Sequence, residues 1–279
     1  MKIKERRTVG LMEKNKKTSS APIVVSKPFL TGNPVDTTTG KSALLIFGSL
    51  LVVAVLYLIV CSMMMFDSLA LRIVVNGLVV FLTLAVFYSS GMSQGSVAVN
   101  NGEIMHHRRE TGAQILPEEL ARSYHPLKGF LTGLAGTLPL FLCALVFAFI
   151  TSKQMTGIGA LPSWVAALEG REEVGPALAF YRTGGGWTLE SILRIIIRLS
   201  LMPYVNMIGS SNAEGLLLLE RLSPILVLFP GLAYGVGYTQ GVKVRSRVHA
   251  DIAKNVRKKA KKNARSKKAP KAKGPIELN

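Results

Sequence analysis

The chain has 279 residues, of which 49% are hydrophobic, yet its formal net charge is +18. The two properties are segregated: residues 1–42 hold nine Lys/Arg against three acids, residues 241–279 hold fourteen against two, and long charge-poor apolar runs lie between. This block pattern excludes an ordinary soluble domain and points to an all-α integral membrane protein with basic tails, while the two cysteines, Cys61 and Cys143, lie in apolar runs and provide no disulfide framework.

Residues 1–42 combine Lys/Arg clusters with Thr, Ser, Gly and Pro and show no apolar periodicity, so a basic disordered cytoplasmic tail is expected. From Ala43 to Phe66 no charge occurs. As a helix this run extends about 36 Å against a hydrocarbon thickness of about 30 Å, and it lies too far from the start and runs too long for a secretory signal. Asp67 and Ser68 interrupt it, and a second apolar run reaches from Leu69 to Ser90. Residues 43–90 therefore read as a transmembrane helical hairpin with a very short turn.

Residues 91–127 are polar and mixed in charge, containing His106, His107, Arg108, Arg109, Glu118 and Glu119, and read as a cytoplasmic loop. Pro117 ahead of the acids predicts a short helix from Glu118 to about Tyr124. The third transmembrane helix falls within 128–151, with Lys128 at its mouth, where a long stem reaches the headgroups.

Residues 152–221 read as an external loop. Thr188 is a helix N-cap, Glu190 suits the positive N-terminal end, and Glu190, Arg194 and Arg198 recur every four residues on one face of an amphipathic helix over about 188–202. As a span it would place two arginines in the bilayer, each costing about 2.5 to 3.5 kcal/mol if central. It would also put the two basic tails on opposite sides. An external interfacial helix is the expectation. The fourth transmembrane helix is placed at 222–240, with Glu220 and Arg221 at its outer edge and Pro224 and Pro230 as bends. Of 34 Lys/Arg, 27 then fall on the side of both termini, which predicts a multi-pass protein of the cell membrane with N- and C-termini cytoplasmic.

Gly129 and Gly133, and Gly231 and Gly235, sit at four-residue spacing and are candidates for close helix packing. Arg72, Asn76, Glu220 and Arg221 are the candidate polar groups within the membrane; a transporter would make them line one external cavity, whereas anchoring and helix-to-helix hydrogen bonding are their plainer roles. Arg194 and Arg198 could pair with lipid phosphates, but no nucleophile or metal site accompanies them. His106 and His107 are neighbours that point apart, without a third ligand at metal-binding spacing. No cofactor is expected, and the residues do not point to an enzyme. Residues 241–279 form a basic cytoplasmic tail in which Val244, Val248, Ile252 and Val256 recur every four residues, predicting an amphipathic basic helix that ends before Pro270. Its Arg257, Lys258, Lys259, Lys261 and Lys262 are candidate contacts for anionic lipid or RNA. The expected function is that of a non-enzymatic accessory or assembly protein acting through interactions, with membrane lipids, a membrane-protein partner or a second copy. The alternatives are a transporter or channel subunit working as an oligomer, and a ribosome- or RNA-docking membrane factor.

Overall fold

The computed structural model describes residues 27–63, 66, 68–152, 168, 171–175, 188–209 and 212–268. Among these residues the chain is helical, in the order α1 (Thr37–Met63), α2 (Leu69–Glu110), α3 (Pro117–Ala121), α4 (Lys128–Ile150), α5 (Leu189–Ser200), α6 (Met202–Ile208), α7 (Ala213–Thr239) and α8 (Gly241–Lys268). Four helical stretches, starting at Thr37, Leu69, Lys128 and Ala213, are long and apolar enough to cross a membrane. Residues 28–244 form one compact unit, and the described residues from 245 onward fall outside it.

α1 starts six residues before the apolar run. Asp36 is the reason: its carboxylate accepts the backbone N–H groups of Thr38 and Thr39 and the hydroxyls of both, satisfying donors that a helix start leaves orphaned. The preceding segment was expected to be disordered, but from residue 28 it is a strap. Leu30 N–H donates to the Gly102 carbonyl at 3.1 Å and Gly32 N–H to the Tyr124 carbonyl at 3.0 Å. Residues 1–26 lie outside the described residues.

α2 differs most from expectation, running through to Glu110 where a loop was placed from residue 91. The extension is helical because Ala98, Val99, Gly102 and Met105 line up along one face and are buried. Phe29 of the strap and Tyr124 pack there, with Phe29 edge-on to Tyr124 and Tyr124 stacked on Tyr238 at 5.4 Å.

α7 is the central helix, with α2 on one side and α4 on the other. A side chain at Gly133 would meet the Gly231 carbonyl, and one at Gly91 or Gly237 would meet the carbonyl of Tyr234 or Tyr88. Gly129 and Gly235 instead face the rings of Tyr238 and Phe130. Where lipid is as apolar as the side chains, this backbone contact replaces the hydrophobic effect as the source of attraction. α1 packs on α4, with Ile46 against Gly136. Buried Phe147, Ile197, Leu140 and Val227 fill the core between α4, α5 and α7.

α7 is one continuous helix from Ala213, so Glu220 and Arg221 do not split it. Pro224 cannot donate to the Glu220 carbonyl, and the Ser223 hydroxyl does so instead at 2.7 Å. Ahead of α7, α5 and α6 are bent by 90° at Leu201. α6 inserts between the ends of α1 and α2: Asn206 Nδ2 donates to the Cys61 carbonyl at 3.0 Å, and Met207 lies against Gly77.

Candidate functional site

A lone acid inside an apolar helix needs a partner, because an unpaired buried charge costs several kcal/mol. Glu220, 2% exposed, has two. Its Oε1 accepts Arg198 Nη2 at 2.7 Å and Arg194 Nε at 3.2 Å, while its Oε2 accepts the Thr151 hydroxyl. Arg194, 7% exposed, extends the network. Its Nη2 donates to Glu190 Oε1 at 2.8 Å, to the Ser152 carbonyl at 2.9 Å and to Thr151 Oγ1 at 3.1 Å, and its guanidinium lies 5.6 Å from the centre of the Phe147 ring. Glu190 also accepts the Ser152 N–H and hydroxyl.

Two acids and two arginines thus compensate one another, joining the end of α4, the buried face of α5 and the first half of α7. Thr188 caps α5 by accepting the Ser191 N–H, which fixes the helix start and so the direction of Glu190, Arg194 and Arg198. Interior packing, not an outward face, is what the period-four spacing produces. The arginines that were offered to lipid phosphates meet Glu220 instead. The cluster clamps three helices together.

The four candidate polar groups do not converge. Arg221 is exposed, Glu220 is held by α5, and Arg72 and Asn76 belong to another corner. There the guanidinium of Arg72 lies on Gly209, the C-cap of α6, with φ +88°, where it faces the negative end of the helix dipole. Asn76, fully buried, donates from Nδ2 to the Arg72 carbonyl at 2.8 Å; its Oδ1 and the Arg72 Nε find no partner among the described residues.

A second buried ion pair lies where α1 and α4 begin. Lys128 Nζ donates to Asp36 Oδ2 at 2.9 Å and to the Ala121 carbonyl at 3.0 Å, the two side chains being 8% and 3% exposed. Burial raises the Asp36 pKa, but the hydrogen bonds from Lys128, Thr39 and Thr38 outweigh it and hold the carboxyl down at about 2. Lys128 was expected to reach for headgroups; it turns inward instead.

Neither His106 nor His107 joins a metal-binding group: both face Glu110, at 3.5 and 3.7 Å, and among the described residues no three His, Cys, Asp or Glu side chains could hold an ion. In α8, Arg257, Lys258 and Lys259 are exposed, as are Val248, Ile252 and Val256. The side chains of Lys261 and Lys262 lie outside the described residues. The pairing of Glu220 with α5 was the main residue-level feature missed. Its signal was present as a lone acid in one apolar run and two arginines one turn apart in another. Set against protein-family models, curated proteins and solved structures, the chain matches none.

Proposed function

We propose that the chain is a multi-pass membrane protein that acts through interactions rather than by chemistry of its own, with both termini in the cytoplasm and its basic C-terminal helix contacting anionic lipid. The exposure pattern of α8 carries this reading. Val248, Ile252 and Val256 stand one turn apart and are exposed, Ile252 by 54%, beside the exposed cations Arg257, Lys258 and Lys259. An apolar stripe next to a cationic one suits the boundary between acyl chains and headgroups, where each basic residue contributes about 1 kcal/mol. The outward faces of α1, α2 and α4, with Leu45, Val74, Phe81 and Phe149 exposed, support insertion. The excess of Lys/Arg at both ends supports the orientation.

Hydrogen exchange on the whole chain in lipid nanodiscs tests the lipid contact. Amides of 245–268 are expected to gain protection as the anionic lipid fraction rises and to lose it in 0.5 M salt or when Arg257, Lys258 and Lys259 are replaced by Glu. Equal protection in zwitterionic and anionic discs would end the proposal. Reporter fusions at Asn101 and Asn279 should both report cytoplasm, and a fusion at Gly185 the opposite side.

A further inference from the structure

α1 and α2 follow one another in sequence but do not pack along their length. α6 props them apart at one end, and at mid-height the Tyr57 hydroxyl donates to Thr83 Oγ1 at 2.7 Å. Towards the end where α1 begins, the gap is a cleft of about 220 Å³ that opens to the surroundings. Its floor is Phe87 and Tyr234, both buried, and its walls are Leu45, Ile46, Val53 and Val86. Val53 also lines a second, much smaller pocket of about 40 Å³ beside Leu140, Leu201 and Val227, too small for a hydrocarbon chain.

The cleft is amphiphilic along its length. Ser42 of α1 and Gln94 of α2 stand at its outer end, followed by Ser49 and Ser90, and deeper the lining is apolar apart from the phenol of Tyr234. Lys41 is exposed and one turn before Leu45, so it shares the face that lines the cleft, and its stem can carry the ammonium to the rim. A cation and hydroxyl and amide groups at one end, with apolar walls leading inward, match the phosphate and the acyl chain of one lipid. A partner helix fits less well: it is about 10 Å across, whereas a cleft of about 220 Å³ admits only a narrower group such as part of one hydrocarbon chain.

We propose that the cleft between α1 and α2 is a binding site for one anionic phospholipid, with its phosphate on Lys41, Ser42 and Gln94 and one acyl chain against Ile46, Val53 and Val86. This rests on the membrane-spanning reading but not on the lipid contact of α8.

The test uses the full chain in nanodiscs of phosphatidylcholine and phosphatidylglycerol, with a trace of either lipid bearing a photoreactive diazirine on its tail, followed by peptide mass spectrometry. Label from the phosphatidylglycerol probe is expected to concentrate on residues 45–53 and 83–90. Lys41→Gln should lower it about fivefold, the factor of one basic residue near an anionic phosphate. Lys41→Arg should retain it, and Ser90→Trp, which fills the cleft, should abolish it. Should Ser90→Trp fail to fold, the Lys41 pair, at an exposed position, still decides. Label spread evenly over the outward faces, including residues 71–81 and 142–149, overturns the site. So does equal cleft labelling by both probes without dependence on Lys41, or a cleft cross-linked to a protein. No label anywhere overturns the membrane reading as well.

Discussion

The two buried ion clusters solve the same problem with different reserves. Asp36 has Lys128, but it also has the N–H groups and hydroxyls at the start of α1, so losing the lysine leaves its carboxylate solvated by the helix it caps. Glu220 stands in mid-helix, where the backbone offers no free N–H, and depends on Arg194, Arg198 and Thr151. An acid at a helix start carries its own support, whereas one inside a helix must recruit it from elsewhere in the chain.

The sharpest way to break this contrast is to remove Glu220. Glu220→Met removes the carboxylate that Arg198 pairs with and leaves Arg194 only Glu190, Thr151 and Ser152, and is expected to cost about 3 to 5 kcal/mol, read as loss of thermal stability in detergent. The triple change with Arg194→Met and Arg198→Met should be less damaging than the single one, because the one charge left without a counterion, Glu190, is partly exposed and keeps the Ser152 N–H and hydroxyl. If the triple is worse, the cluster is not a compensated set.

At the other end, Lys128→Met should cost about 2 kcal/mol, one charge-assisted hydrogen bond, since the cap persists. A cost matching that of Glu220→Met would dissolve the distinction. The wild type carries a related pH signature. The folded carboxyl of Asp36 sits at about 2, below its ordinary 3.8, so its contribution is full above about pH 4 and disappears as the pH falls towards 2. Asp36→Asn should remove that portion of the acid transition and leave the rest.

Between the two ends, Gly133→Ala pushes a methyl into the Gly231 backbone and should cost about 1 to 2 kcal/mol by separating α4 from α7. This loss should add to that of Lys128→Met if the ion pair and the helix crossing act independently. The smallest effect is expected for Gly209→Ala, about 1 kcal/mol, from its positive φ and its contact with Arg72.

Four membrane-length apolar runs were legible because length and the absence of charge are local properties. The cap at Thr188 and the helix start at Pro117 were equally local, although that short helix ends at Ala121 and not near Tyr124. What escaped depended on partners distant in sequence. The run from 91 to 110 reads as polar, and its thin stripe of Ala98, Val99, Gly102 and Met105 acquires meaning only when the strap at Phe29 and Leu30 covers it. Arg194 and Arg198 suggested an outward face because exposure is the default for charge, and only the fold brings α7 within reach. Glycine spacing at 129, 133, 231 and 235 was visible, but not that Gly91 and Gly237 serve the opposite side of α7 in the same way.

α2 also acts as a ruler. With Leu69–Ser90 in a bilayer, the twenty residues that follow carry Glu110 about 30 Å further along the helix axis. Screening at physiological salt reduces electrostatic reach to about 8 Å, so in that placement Arg108 and Arg109 would stand beyond the field of the headgroups. Whatever met them there would come from the aqueous side, at a height set by the length of one helix.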